Sequence, residues 1–160
     1  MRTLITLGLV AGLATSAHAQ AKPAGMEMKI YPAGKFEWKP APPAMPKGVM
    51  IAVLEGAPAD AGPFTIRLRF PAGTRVMPHF HGATEHTTVM QGILHIGTGD
   101  KFDKTALKPM PAGSFGFWPA GMHHFAEMEG ETILQVHGTG PWTVTYVNAA
   151  DDPRTAAGGK

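Results

Sequence analysis

"GTRVMPHFHGATEHTTVMQG", residues 73–92, sets His79, His81, Glu85 and His86 within eight positions of one another, in a chain of 160 residues that carries eight histidines. Successive side chains of a strand point to opposite faces, so His79 and His81 share one face and Phe80 takes the other. Two imidazoles on one face can grip a single ion. Beyond a short turn at Gly82 and Ala83, Glu85 opens the next β-like run, and its carboxylate can return to that ion as an oxygen ligand. His86 is one position out of phase with Glu85 and reads as outward-facing. A fourth ligand is on offer in PAGMHHF, residues 119–125, where a Pro-x-Gly turn presents His123 and His124 at adjacent, oppositely directed positions. Spacing alone does not choose between them. Any one of these histidines by itself would more often be a surface or hydrogen-bonded core residue; the combination is what argues for an ion. His95 and His137 stand in other runs and read as structural or as supports for a ligand.

Around this stretch, short β-like runs follow one another: VMIAVLEG, PFTIRLRF, EHTTVMQG, ILHIGTG, SFGFWPAG, ETILQVHG and WTVTYVN, each bounded by Gly, Pro or Asp. Gly and Pro together make up about a fifth of the chain, spread between these runs, which suits many strands and tight turns. The expectation is an all-β sandwich or barrel. In TIRLRF, Ile66, Leu68 and Phe70 alternate with Arg67 and Arg69, the period of a half-buried strand with its arginines on a solvated face. Phe115, Phe117 and Trp118 read as core or pocket wall. Met77, Met90 and Met122 flank the ligand candidates and read as gap-fillers rather than as thioether ligands for copper. In ETILQVHG, Ile133, Gln135 and His137 share one face, and Thr132, Leu134 and Val136 the other. If Gln135 and His137 face inward, the pocket gains partners for a polar substrate. If they face outward, it is mostly apolar and a binding module gains ground.

The ends of the chain read differently. Residues 1–19 have Arg2 as a short positive region, an apolar run from Leu4 to about Ala14, and Ala17-His18-Ala19 as a small-x-small cleavage site. The apolar run is shorter than the ~20 residues that a spanning helix needs, so cleavage is the reading over a membrane anchor. The mature chain would begin near Gln20, in the periplasm or outside the cell. Residues 20–47 form a Pro-rich arm with six prolines by Gly48; Phe36 and Trp38 suggest that it packs. Residues 48–148 hold the barrel, and 149–160 read as a frayed tail. The 14 basic and 12 acidic residues form no cationic run, which excludes a phosphate-tracking nucleic-acid binder. With no cysteine, thiol catalysis and disulfides are excluded.

These residues resemble the cupins. Gly73, five residues, His79, one residue, His81, three residues, Glu85, six residues and Gly92 match the first cupin motif at every fixed position. Gly113, five residues, Pro119, one residue, Gly121, two residues and His124 match the second, with Met128 where an Asn is often found. The resemblance spans about residues 48–148, and is narrower toward small exported single-domain cupins of the type-2 kind. It implies a single-domain β-barrel of two antiparallel sheets, a double-stranded jelly roll with an ion inside, and metal ligands at His79, His81, Glu85 and His124. Three imidazoles and one carboxylate suit one divalent transition ion (Mn, Fe, Ni, Cu or Zn), with open positions left to it if it is octahedral. The resemblance also implies a homodimer and a small-molecule ligand or substrate. Two uses stand side by side: a metalloenzyme such as a small-molecule dioxygenase, in which Glu85 could also act as a base, and a non-catalytic module or sensor for a small ligand or metal.

Overall fold

The computed structural model describes residues 28–156; the expected signal peptide (1–19), the first part of the arm and residues 157–160 lie outside them. The described chain has almost no helix, and about half of it is strand: β1 (Lys39–Pro40), β2 (Met50–Glu55), β3 (Gly62–Phe70), β4 (Arg75–Phe80), β5 (Glu85–Thr98), β6 (Lys108–Pro111), β7 (Phe115–Trp118), β8 (His124–Gly140) and β9 (Thr145–Tyr146). Every pairing is antiparallel.

The architecture follows from β5 and β8, which are long enough to serve two sheets. The C-terminal half of β8 lies between β3 (Phe70 opposite Thr132 through Gly62 opposite Gly140) and the first half of β5 (His86 opposite His137, Val89 opposite Leu134). Its N-terminal half lies between β4 (His79 opposite His124) and the second half of β5 (Ile93 opposite Glu129 through Thr98 opposite His124). One sheet therefore runs β1-β2-β3-β8-β5-β7 and the other β9-β4-β8-β5-β6. The register breaks on β5 at Gln91, next to Gly92 at φ 76°. A Cβ there would stand 2.6 Å from the Glu131 carbonyl oxygen, so only glycine lets the two strands bend together. This curled pair of sheets is the expected barrel. EHTTVMQG and ILHIGTG, read as two runs of the sequence, are the two arms of one strand, β5.

Alternation fills the inside. Phe64, Ile66, Leu68 and Phe70 of β3 are buried with Val89, Leu94, Met128, Leu134 and Val136. Arg67 and Arg69 point outward but are not simply solvated: their guanidiniums lie 4.3 Å over Phe36 and 4.8 Å over Trp38. The arm from Phe36 to Ala44 is thereby held on the sheet, with β1 paired to β2 and the Tyr146 hydroxyl donating to the Ala44 carbonyl at 2.8 Å.

Three strands fall outside the seven β-like runs of the sequence: the two-residue β1 in the arm, β4 and β6. β4 and β6 contain Pro78, Pro109 and Pro111, which mask the pattern. β4 carries a register shift between Val76 and His79, and β6 pairs only with β5, both places where a missing N–H is tolerated. The expectation of a frayed C-terminus is corrected over the residues described. Asn148 caps a 3-10 turn at Ala149–Asp151, a short helix follows at Pro153–Ala156, and Arg154 pairs with Asp152 while donating to the Val144 carbonyl. Among the described residues no helix is long and apolar enough to cross a membrane.

Candidate metal centre

Four elements converge on the inside of the barrel. His79 is on β4, His81 one residue beyond its end, Glu85 the first residue of β5 and His124 the first of β8. All four are buried, at 6, 3, 7 and 2 % exposure. The ligand atoms of His79, His81 and His124 all lie within 4.8 Å of one another, and the ring centroids of His79 and His124 are 4.2 Å apart. Glu85 joins the cluster at one edge, with Oε2 2.8 Å from His81 Nε2.

The imidazoles are fixed by the backbone. Nδ1–H of His79 donates to the Met77 carbonyl at 2.8 Å, that of His81 to Thr143 at 2.8 Å, and that of His124 to Met122 at 2.9 Å. With each Nδ1 acting as donor, each Nε2 carries the lone pair that a metal needs. The i, i−2 bonds of His79 and His124 come from the strand itself, whereas His81 is held across the barrel mouth by the segment after β8. The Thr87 hydroxyl, two residues along the same face of β5, donates to Glu85 Oε1 at 2.7 Å. This leaves Oε2 for the cluster.

Burial and charge set the protonation states. His79 is pushed from 6.5 down to about 3, first by burial and then by repulsion from His124 and His81. Burial also lowers His124. Burial alone would raise Glu85, but its contacts with His81 and with Thr87 outweigh that and bring it down to about 2. The site thus favours neutral His79 and His124 beside an ionised Glu85.

This donor set fits a metal ion. His81 Nε2 is buried, has no hydrogen-bond partner and faces an anionic oxygen at 2.8 Å. Atoms this close are joined through a positive centre, either the imidazole's own proton in an ion pair with Glu85 or a bound cation that takes its place. Adjacent ligands of an octahedral ion with bonds of about 2.1 Å stand about 3 Å apart, which matches this edge. The surrounding cavity, about 40 Å³, has room for an ion with one or two water-sized groups. Its other walls, including Leu68, Phe70, Val76, Leu134, Val136 and Trp118, are apolar apart from Thr87 and the Trp142 indole edge.

The remaining histidines lie outside. His123 pairs with Asp100 at 2.7 Å and stacks on Phe80, so of the two adjacent histidines it is His124 that enters the cluster. His86 stacks on His137 with ring centroids 5.0 Å apart, next to the exposed Phe115 and Phe117. Of the aromatics expected in the core or pocket wall, only Trp118 is there. His95 pairs with Glu129. Gln135 bonds Arg67 on the outer face, and Leu134 and Val136 line the cavity. Gln135 and His137 are therefore not pocket residues. Three contributors escaped the reading of the sequence: Thr87, the Thr143 carbonyl, and Trp142, whose ring stacks on His81 with centroids 4.6 Å apart. Only Thr87 carried a signal, its i, i+2 position after Glu85.

The model of the ChrR cupin-like domain family matches residues 26–143. The chain belongs to this cupin family. Among solved structures it is similar to the polyketide cyclase RemF from Streptomyces resistomycificus (17% identity, 82% of this chain and 93% of that one, TM-score 0.65). It is also similar to an acetylacetone dioxygenase from Acinetobacter johnsonii (18% identity, 82% and 85%, TM-score 0.61) and to an RmlC-like cupin from Shewanella frigidimarina (17% identity, 71% and 91%, TM-score 0.54). At these identities the likeness shows a common cupin fold. No functionally curated protein matches the chain.

Proposed function

We propose that this cupin is an exported protein that holds one divalent first-row ion on His79, His81, Glu85 and His124 and oxidises a small organic molecule with dioxygen. The observation that carries the metal assignment is the convergence of His79, His81 and His124, whose ligand atoms all lie within 4.8 Å of one another beside the Glu85 carboxylate. Four protein ligands leave part of an octahedral sphere open, and the cavity beside them is shielded by apolar walls. Bound there, such an ion would supply Lewis-acid polarisation and electron exchange at its open positions. The protein's own contribution is to orient the imidazoles through three backbone carbonyls, to keep His79 and His124 neutral by burial, to hold Glu85 through Thr87, and to exclude bulk water. The cupin fold hosts an acetylacetone dioxygenase and a polyketide cyclase among the structures it resembles, so fold alone does not choose the reaction.

A second reading, a non-catalytic module that retains a metal or small ligand, is favoured by one observation. Gln135 and His137 face outward, leaving few polar groups beyond the ligand set to orient a substrate. One experiment separates the two: recover the protein from the periplasm of its host, identify the metal, and measure oxygen uptake with phenols, diketones and thiols. Uptake that vanishes in His81→Ala supports oxidation; a redox-inert ion, no uptake and tight retention of a small molecule establish the module. Mass spectrometry of the same sample should show a start near Gln20, and an intact Met1 on membranes would reject export. Sedimentation should give a homodimer, and a monomer of ~17 kDa at micromolar concentration would reject that.

A further inference from the structure

We propose that a groove between the Pro-rich arm and the barrel binds an apolar carboxylate, with Met45 and Trp142 forming the partition between this ligand and the metal cavity. The proposal deepens the reading of the cavity as an ion site, but binding in the groove does not itself require the ion. The groove holds about 660 Å³, within the range of small-molecule pockets. Its floor is the inner face of Ile51, Val53, Ile66 and Leu68 on β2 and β3. One wall is the arm and the other is Trp142–Val144.

Three observations select the occupant. The charged side chains along the groove are Lys39 and Arg154, both cations, whose carboxylate partners Glu37 and Asp152 do not line it. The apolar floor thus sits under two cations, each paired with a carboxylate outside the groove by an attraction that solvent weakens, and an incoming molecule with an apolar body and one anionic group can share them. The arm wall contains Pro40, Pro42 and Pro43, and Pro58 stands opposite. Proline offers no N–H, so this wall is a poor template for an incoming strand and a stiff one for a compact molecule. Finally, Met45, Leu68, Trp142 and Val144 line both the groove and the metal cavity. Trp142 stacks on His81 and its indole N–H is buried without an acceptor. An occupant of the groove is therefore one side chain away from an imidazole of the metal cluster, and Met45, an unbranched and adaptable side chain, is the element that can yield between them.

The test uses the full chain, metal-free, labelled at the indole nitrogens and the methionine methyls and titrated with 2-naphthoate. The expected result is saturable, submillimolar binding that shifts the Trp142 indole and Met45 methyl signals and leaves Trp38 and Met90 in place. Binding should weaken at least tenfold for 2-ethylnaphthalene, which lacks the anion. Val53→Glu, at a half-exposed groove position that tolerates a polar residue, should abolish it while the spectrum of the fold is retained. Arg154→Gln should weaken 2-naphthoate severalfold and leave neutral 2-acetylnaphthalene unchanged. Shifts confined to the Phe115 and Phe117 face, or equal binding of the acid and 2-ethylnaphthalene, would overturn the proposal. So would groove signals that respond to protein concentration instead of ligand, because a second copy would then be the occupant. A separate metal titration keeps the readings apart: naphthoate binding without metal binding removes only the ion site, and the converse removes only the groove.

Discussion

The histidines of the barrel interior and those of its exterior come from the same strands and the same short motifs, yet have opposite surroundings. His79, His81 and His124 are buried, each donates through Nδ1 to a backbone carbonyl, and their free nitrogens converge. His86, His95, His123 and His137 meet carboxylates or other rings at the surface. His86 follows Glu85 and His123 precedes His124, so one step along a strand separates the two kinds. What differs is the face, and with it the dielectric, the proton affinity and the fate of the second ring nitrogen.

The largest effect that could break this division is on metal retention. Alanine at His79, His81 or His124, or Gln at Glu85, should lower affinity by at least roughly 100-fold, because each removes a proposed ligand that no neighbour replaces. His86→Ala should stay within about twofold of wild type, since its ring is on the outer face. Metal analysis after dialysis against a chelator reads both. The next effect is smaller and tests support instead of ligation. Thr87→Val removes the hydroxyl that holds Glu85 Oε1 and should cost about 10–100-fold in affinity, whereas Thr87→Ser should be close to wild type. Equal losses in the two variants would point to packing and not to the hydrogen bond.

Interior and exterior should also differ in their response to acid. The folded pKa of His79 is depressed from 6.5 to about 3, so between those values the unfolded chain binds a proton that the folded one does not. Stability is therefore complete above about pH 6.5 and is lost as pH falls toward 3, at up to ~1.4 kcal/mol per pH unit for this one group. His124 is lowered in the same direction, and Glu85, depressed from 4.5 to about 2, adds a further loss below pH 4.5. Denaturant unfolding of the metal-free protein from pH 7 to 4 should show this slope, and His79→Gln should flatten it. The same shift means that protons compete weakly for His79 and His124 at pH 6, so loss of metal through these two ligands belongs well below the pH at which an ordinary histidine titrates.

Much of this division was legible before any coordinates. Period-2 alternation identified the all-β class, and the cupin spacings singled out His79, His81, Glu85 and His124 and set His86 and His123 aside. Alternation says which residues share a face but not which face is inside, so Gln135 and His137 could be paired but not placed; the buried Leu134 and Val136 place them outward. Prolines hid β4 and β6, because a strand that tolerates Pro at a bulge or an edge no longer looks like one. The support of His81 by Thr143 spans 62 residues and uses a carbonyl, which every residue possesses. Such a contact has no residue-type signature. The groove is likewise a product of tertiary packing, since its arm wall and its floor come from segments that meet only in the folded chain.

The smallest predicted effect is the sharpest test of the boundary, because it concerns neighbours in sequence. His123 is adjacent to His124 and carries a comparable interaction, its Nδ1 standing 2.7 Å from Asp100 while its ring stacks on Phe80. Asp100 is largely exposed, so water screens the pair, and holding two surface side chains together offsets much of the attraction. The stacking contact with Phe80 survives in part with a planar side chain such as Gln. His123→Gln should therefore change stability by about 0.5 kcal/mol or less and leave metal affinity within about twofold. Chemical denaturation and metal titration of this variant beside His124→Gln make the comparison within one dipeptide. A metal loss in His123→Gln approaching that of His124→Gln would mean that the turn at Gly121 lets the two rings exchange places, and the separation of inner from outer histidines would then be dynamic instead of fixed by the strand.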